Sequence, residues 1–280
     1  MKKFSFIIDV AMCENCNNCF LSCKDEHCGN EWPGYSASQP LHGQRWMNIA
    51  RKERGTFPEI DVAYLPKPCM HCDDAPCIEA AQDNAVYKRE DGIVVIDPLK
   101  ARGQKKLVKS CPFGAIWWNE EVQLPQKCTF CAHLLDKGWK QPRCVQSCPT
   151  GALAFLHVED DELETIVQKE NLECFGTSSS SARPRCFYKN LHRYTKCFIA
   201  GSVASGNEGE SECVEGAIVK LLQGGVLLSE QKSDDFGDFK FDRLPPKSGN
   251  YSIEIETTEG TKRAANIQLE ESVSVGTLWV

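Results

Sequence analysis

The sequence has no apolar run long enough to cross a membrane. Near its start the apolar stretch runs only from Phe4 to Ile8 before Asp9 interrupts it, whereas a transmembrane helix needs about 20 such residues. The stretch is also shorter than the apolar region of a signal peptide, which has about 7–15 residues. We therefore expect a soluble, cytoplasmic chain without a membrane partner.

The sequence also lacks a basic stripe, and its formal net charge is −7. Residues 196–280 contain 8 Lys and Arg against 14 Asp and Glu, so they carry −6 of this charge, and the first 195 residues are nearly neutral. Binding to nucleic acid needs a basic patch or stripe. We therefore expect no nucleic-acid partner.

Cysteine, by contrast, is abundant: there are 17 in 280 residues, and 13 of them precede residue 150. Disulfide-rich secreted domains are usually shorter and follow a signal peptide. In a reducing compartment, clustered cysteines bind metal more often than they form disulfides. The cysteine-rich region is therefore interpreted as a metal-binding domain, with disulfides as the alternative.

The cysteine pattern divides into four frames. The first, Cys13-x2-Cys16-x2-Cys19-x3-Cys23, has the spacing of ferredoxins, in which three thiolates bind one 4Fe–4S cluster and the fourth reaches a second cluster. The other frames are Cys69-x2-Cys72-x4-Cys77, the single Cys111-Pro, and Cys128-x2-Cys131-x12-Cys144-x3-Cys148-Pro. Three triples and three single cysteines make twelve ligands, enough for three 4Fe–4S clusters.

A crosswise rule, in which each single cysteine completes a triple from another frame, assigns all twelve ligands. The predicted sets are Cys13, Cys16, Cys19 and Cys148 for cluster 1; Cys23, Cys128, Cys131 and Cys144 for cluster 2; and Cys69, Cys72, Cys77 and Cys111 for cluster 3. Zinc at Cys128, Cys131, Cys144 and Cys148 has a compatible spacing and remains the alternative.

A fourth cluster position lacks every ligand. The repeats "CPFGA" and "CPTGA", which begin at Cys111 and Cys148, align with "AQDNA", in which Ala81 replaces the cysteine. The three partners that such a site would need are Ala101, Gln104 and Leu107. The sequence therefore predicts that a fourth cluster-binding site has lost all of its ligands; we call it the erased fourth position.

Five further cysteines fit no frame, and His71 lies inside the second frame. We expect His71 to form a hydrogen bond to a cluster sulfur or to pack, with ligation of a cluster as the alternative. The five cysteines are expected to be free and buried; they are Cys28, Cys174, Cys186, Cys197 and Cys213.

The rest of the chain follows the cysteine-rich region, which we place at residues 1–157. Residues 158–195 are predicted to hold a helix, "VEDDELETIVQKE" (158–170), and a linker, "GTSSSSARPR" (176–185). Residues 196–280 contain seven short runs, several with alternating apolar residues, such as Tyr251, Ile253 and Ile255. This pattern predicts a seven-stranded antiparallel sandwich and resembles transthyretin-like or carboxypeptidase-regulatory-like sandwiches.

The four frames, in this order, resemble the iron–sulfur β subunits of the dimethyl sulfoxide reductase family of molybdenum enzymes. Within that family, "CENCNNCFLSCKDEHCGNEWPGY", "RWMNIARKERGTFP", "PCMHCDDAPC", "AVYKREDGIVVIDP" and "QKCTFCAHLLD" are closely similar to the small subunits of its transhydroxylases. The resemblance covers essentially the whole chain. It implies an α+β fold, with a ferredoxin-like domain of two pseudo-repeats followed by the transthyretin-like sandwich.

The same resemblance implies a cytoplasmic heterodimer, or a higher assembly, with a large catalytic subunit. That partner would hold molybdenum bound by two molybdopterin guanine dinucleotides. It would move a hydroxyl group between polyhydroxybenzenes, so that pyrogallol becomes phloroglucinol. No catalytic residue is then expected in this chain, whose clusters would serve electron transfer or keep the molybdenum in its working oxidation state.

Other functions remain open from the sequence. The first is an electron-transfer subunit of a different molybdopterin oxidoreductase, such as a catechol dehydroxylase. The others are a stand-alone ferredoxin and a structural or adhesive protein stabilised by bound zinc. Iron and sulfide analysis separates the zinc protein from the rest.

Overall fold

A computed structural model describes residues 1–176, 182–207, 210–257 and 260–280. The chain divides into two compact units: residues 1–50 with 64–191, and residues 51–63 with 192–280. The second unit thus includes the internal segment 51–63, which the predicted domain 1–157 had contained. Of the linker predicted over 176–185, residues 177–181 lie outside the described residues.

The first nine strands are short and lie mostly in the first unit. They are β1 (Lys3–Asp9), β2 (Asn48–Thr56), β3 (Glu59–Lys67), β4 (Val86–Lys88), β5 (Val94–Ile96), β6 (Trp117–Asn119), β7 (Leu124–Gln126), β8 (Leu153–Val158) and β9 (Cys186–Lys189). In the only three-stranded sheet described, β1 lies in the middle, antiparallel to β8 and parallel to β9. The pairs β2–β3, β4–β5 and β6–β7 form separate two-stranded sheets.

Helices make up a small part of this unit. They are α1 (Asn18–His27), α2 (Pro76–Glu79), α3 (Leu107–Ser110), α4 (Ala132–Leu135), α5 (Arg143–Gln146) and α6 (Asp160–Lys169). Helix α6 falls within the predicted 158–170, but Val158 ends β8 and Glu159 is the N-cap. The chain is mostly β, so the expected α+β class is correct only in that both element types occur.

None of the described helices has the length and apolar character that crossing a bilayer requires. The two longest, α1 and α6, have ten residues each. Helix α6 begins with three acidic residues, which interact favourably with the positive N-terminal end of the helix dipole.

Besides residues 51–63, which hold most of β2 and more than half of β3, the second unit contains a short helix and eight further described strands. They are α7 (His192–Thr195), β10 (Cys197–Asn207), β11 (Glu210–Cys213), β12 (Ile218–Gln223), β13 (Val226–Lys232), β14 (Asp238–Leu244), β15 (Gly249–Thr257), β16 (Gly260–Leu269) and β17 (Val273–Trp279). One four-stranded sheet has the order β11–β10–β14 with β17 also paired to β10, and the other has the order β13–β12–β15–β16.

Two details of the predicted seven-stranded antiparallel sandwich are wrong. The first is the number of strands, because β11 is an additional strand. Its sequence "ESEC" has no alternating apolar residues, and it pairs with β10. The second is the direction of pairing, because β10 and β17 pair in parallel. Sequence periodicity reports which face of a strand is buried, but not the direction of its neighbour.

Both sheets contribute side chains to one hydrophobic core. It includes Ile199 and Phe241 from one sheet, and Val219, Leu221 and Ile253 from the other. The alternation noted in the sequence therefore corresponds to residues that face this core.

Truncation of a core residue should destabilise the second unit alone. Ile253 is fully buried in the core, so we expect Ile253→Ala to lower the free energy of unfolding by about 2–5 kcal/mol. Hydrogen exchange of β15 amides in the full chain measures the effect. Leu227→Ala is the control because Leu227 is 50% exposed, and it should change stability by less than about 0.5 kcal/mol. Equal effects of the two substitutions would contradict the assignment of this core.

Candidate metal centres

The structure brings the twelve predicted ligands together in three groups. We call them set 1 (Cys13, Cys16, Cys19, Cys148), set 2 (Cys23, Cys128, Cys131, Cys144) and set 3 (Cys69, Cys72, Cys77, Cys111). Within the described ranges, no disulfide joins any of these twelve cysteines.

Set 1 surrounds a small cavity in which the ends of distant segments meet. Cys13 and Cys16 lie on the loop after β1, Cys19 is on α1, and Cys148 follows α5. Side chains from other parts of the unit, including Ile49, complete the lining. Cys16 is exposed, so set 1 is the group nearest to solvent.

Set 3 surrounds a second, largely apolar cavity. Cys69 and Cys72 come from the loop after β3, Cys77 is on α2, and Cys111 caps the end of α3. The rest of the lining is mainly apolar and excludes water from the thiols. It comprises Met70, His71, Ala75, Pro76, Val94, Pro112, Phe113, Ile116 and Lys127.

Set 2 is the most deeply buried group. Its members Cys23, Cys128, Cys131 and Cys144 are each at most 8% exposed. Cys23 and Cys144 interact electrostatically with the other two thiols and with each other. Cys144 also interacts with Cys19 of set 1 and Cys128 with Cys69 of set 3, so the three sets lie close to one another and the grouping of set 2 follows the predicted assignment.

A contact between α1 and α5 explains why the first and last frames exchange a cysteine. The hydroxyl groups of Ser22 and Ser147 are 2.8 Å apart. Ser22 lies between Cys19 and Cys23, and Ser147 lies between Cys144 and Cys148. The hydrogen bond therefore holds the two segments side by side. In this arrangement Cys148 of the last frame belongs to set 1, and Cys23 of the first frame belongs to set 2.

Three of the four Cys-x2-Cys intervals share a backbone geometry that suits thiolate ligands. The residue two positions after the first cysteine has a left-handed φ in each: 56° for Asn15, 44° for His71 and 53° for Phe130. The N–H groups of His71 and Phe130 donate to the sulfurs of Cys69 at 3.5 Å and Cys128 at 3.4 Å. Such N–H donors stabilise negative charge on a ligand sulfur.

Burial has the opposite effect on these thiols. It raises the pKa of Cys19 and of Cys131 to about 12, and that of Cys77 and Cys128 to about 11. Thiols are therefore the stable form without a cation, since a buried negative charge is costly. Thiolates in these sets need the positive charge of a bound metal centre.

An unpaired donor at set 3 fits an iron–sulfur centre. His71 is fully buried, and burial holds its pKa well below the usual range, so the ring is neutral. Its Nδ1 accepts the N–H of Val94 at 3.0 Å, which places the ring proton on Nε2. Nε2 makes no hydrogen bond of normal geometry to a described residue, although the backbone of Cys128 lies close enough to interact with the ring. This donor suits a sulfide-containing group in the cavity that His71 lines.

The erased fourth position is closed by protein groups. The side-chain amide of Gln104 accepts the N–H of Gln82 at 3.0 Å and donates to its carbonyl oxygen at 3.2 Å. Ala101 and Leu107 are fully buried. Hydrogen bonding and apolar packing thus occupy the place where the sequence pattern indicates a lost site.

A single zinc ion does not match this arrangement. Across the described ranges, no group of three or more His, Cys, Asp or Glu side chains is placed to hold one metal ion. Cys148, which the zinc alternative needs beside Cys128, instead lines the cavity of set 1 with Cys13. This placement of Cys148 favours the crosswise assignment over zinc, and ligation by the three sets stays a prediction.

The five cysteines outside the frames differ in exposure. Cys186 and Cys197 are buried as expected, whereas Cys28 and Cys174 are half-buried and Cys213 is exposed. The expectation of burial is therefore wrong for Cys213, because the edge strand β11 leaves its side chain uncovered.

Two residues beside the sets were not identified from the sequence. His27 Nε2 lies 3.9 Å from the sulfur of Cys131, and burial lowers its pKa to about 3. Lys127 lines the cavity of set 3. The only sequence signal is that each directly precedes a cysteine, Cys28 or Cys128.

Comparison with known proteins finds iron–sulfur proteins and subunits of oxidoreductases. Residues 60–158 match the family described as "4Fe-4S dicluster domain". The "Pyrogallol hydroxytransferase small subunit" of Pelobacter acidigallici is 45% identical over 99% of this chain and 98% of that protein. A subunit of the tetrathionate reductase of Salmonella typhimurium is 34% identical over 56% of this chain and 59% of that protein.

Solved structures match more weakly. The 5-hydroxyisourate hydrolase of Klebsiella pneumoniae is 14% identical and covers 30% of this chain and 84% of its own, with a TM-score of 0.25. A TM-score this low does not establish a shared fold.

Proposed function

Because the chain belongs to the family of pyrogallol hydroxytransferase small subunits, we propose that it is the iron–sulfur subunit of a molybdenum enzyme. In this proposal sets 1, 2 and 3 each hold one 4Fe–4S cluster, and the active site lies in a larger partner subunit. The observation that carries the proposal is the grouping of twelve cysteines, from four separate frames, into three sets of four.

The residues of this chain bind, orient and shield the clusters. Thiolates of each set bind iron, and backbone N–H groups such as that of Phe130 stabilise their charge. Apolar side chains such as Ile116 exclude water from set 3. A bound 4Fe–4S cluster supplies reversible one-electron transfer.

The proposed partner is a molybdopterin-containing catalytic subunit that converts pyrogallol to phloroglucinol. Its molybdenum is expected to be bound by two molybdopterin guanine dinucleotides. This transfer of a hydroxyl group has no net electron change. We therefore infer that the clusters bring the molybdenum to its working oxidation state and support the heterodimer, and do not turn over in every cycle.

Set 1 is the proposed point of electron exchange with another protein. Cys16 is exposed, while all four cysteines of set 2 are buried. Electron transfer weakens with distance, so the site nearest to solvent is best placed for exchange across an interface. Met12 and Leu21 lie close in sequence to Cys13 and Cys19 of set 1. Their apolar side chains are 45% and 58% exposed, which suits contact with another protein.

The second unit and the cellular location complete the proposal. We infer that residues 192–280 form a transthyretin-like sandwich that acts as a packing or interaction module, because its two sheets share one core. A reducing cytoplasm is the expected compartment, since the thiols of the three sets must stay unoxidised until iron binds.

Anaerobic co-purification of the native complex tests the proposal. We expect a large subunit to accompany the chain, with molybdenum in the complex, about 12 irons per small subunit, and activity towards pyrogallol. A preparation without iron, or one that binds zinc, would rule out the proposed function.

A second function is favoured by the similarity to a tetrathionate reductase subunit over 158 residues. In this alternative the chain passes electrons to a reductase, such as a catechol dehydroxylase. The same purified complex distinguishes the two. Reduction of a catechol by an added electron donor, without transhydroxylation of pyrogallol, would support the alternative.

A further inference from the structure

Lys127 is a buried lysine whose hydrogen bonds go to backbone carbonyls. It is 2% exposed, and its Nζ donates to the carbonyl oxygens of Val94 and of Cys128, the latter at 3.1 Å. Val94 belongs to β5, and Cys128 is a member of set 2. Lys127 itself lies between the end of β7 and Cys128. Its two hydrogen bonds therefore fix the position of the ammonium group.

No acidic side chain offsets the charge of Lys127. Within the described part of the chain, no carboxylate lies within ion-pair distance of its Nζ. Buried charges are normally paired, because removing an unpaired ion from water is costly. The compensating negative charge therefore has to come from another group.

The candidate for that group is an anionic centre in the set 3 cavity. Lys127 lines this cavity together with Cys69, Cys72, Cys77 and Cys111. Burial raises the pKa values of Cys77 and Cys111 in set 3 and of Cys128 in set 2, and the positive charge of Lys127 acts on all three in the opposite direction. A cluster bound by four thiolates carries net negative charge, which the lysine would offset.

We propose that Lys127 sets the reduction potential of the cluster at set 3 by holding beside it a positive charge that no carboxylate offsets. The proposal rests on the proposed function, since it needs the cluster. Reduction adds one electron to a centre that is already negative. A fixed positive charge stabilises the reduced form more than the oxidised form and raises the potential.

Lys88 provides a matched control. Its Nζ also donates to the carbonyl oxygen of a set 3 cysteine, Cys72, at 2.8 Å. Unlike Lys127, it forms an ion pair with Asp73 at 2.7 Å, and its side chain is 21% exposed. A paired charge close to water has a weaker effect at a distance, so removal of Lys88 should change the potential much less.

The experiment is a redox titration of the full, iron-loaded chain, followed by electron paramagnetic resonance. Lys127→Gln and Lys127→Met remove the charge, Lys127→Arg keeps it, and Lys88→Gln is the control. The signal that disappears in Cys77→Ala identifies set 3. For the Gln and Met variants we expect the reduction equilibrium of this cluster to shift towards the oxidised form on the order of tenfold, which is about 59 mV for one electron.

The outcomes are distinguishable. The Arg variant and Lys88→Gln should keep the wild-type potential within a small fraction of that shift. Unchanged potentials in iron-loaded Gln and Met variants would overturn the proposal, as would an equal shift in Lys88→Gln. Loss of set 3 iron from the Gln, Met and Arg variants alike would assign Lys127 a packing role instead. A wild-type chain without iron would refute the proposed function itself.

Discussion

Replacing Cys77 with alanine should lower the iron content from about 12 to about 8 per chain. Cys77 is 8% exposed and lines the set 3 cavity with three other thiols. Alanine has no donor atom, and the largely apolar lining of the cavity disfavours a water molecule as a replacement ligand. Iron and sulfide analysis of anaerobically purified protein measures the loss.

The same substitution should loosen the region around set 3, because ligation contributes free energy to folding. We expect faster amide exchange over residues 69–118. Cys174→Ala is the matched control, since Cys174 belongs to none of the three sets and lines a different cavity. If the two variants lose equal amounts of iron, the ligand assignment is wrong.

Removal of all iron from the full chain should unfold the first unit and leave the second unit folded. The first unit is built around three groups of thiols, two of them mostly buried, in addition to its apolar residues, whereas the second unit has a hydrophobic core shared by its two sheets and none of the predicted ligands. Structural metal sites contribute about 10–16 kcal/mol in zinc-finger peptides. Even one contribution of that size matches the whole stability of a typical domain, about 5–15 kcal/mol.

Hydrogen exchange after anaerobic chelation of the iron measures this effect. Amides of β1 and α1 should lose protection by several orders of magnitude, while those of β12 and β15 should keep it. Ile253→Ala serves as the reciprocal control, because it should reduce protection in β15 without changing the iron content. Persistent protection of β1 in iron-free protein would contradict a folding role for the clusters.

Much of the candidate site could be predicted from the sequence because ligand spacing is local. A Cys-x2-Cys loop positions two thiols by its own backbone, so the three triples and the erased position at Ala81 follow from counting. The alternation of Tyr251, Ile253 and Ile255 likewise predicted a core-facing strand, and all three are buried. Iron ligation by the three sets remains a prediction until metal analysis is done.

The sequence by itself determined which residues are available as ligands and which faces of the strands are apolar, since both depend on neighbours a few positions away. Only the tertiary structure decided which distant segments meet. The Ser22–Ser147 contact between α1 and α5, the membership of residues 51–63 in the second unit, and the parallel pairing of β10 with β17 are examples. The unpaired charge of Lys127 at set 3 is another, because a neighbour's charge depends on packing between segments far apart in the chain.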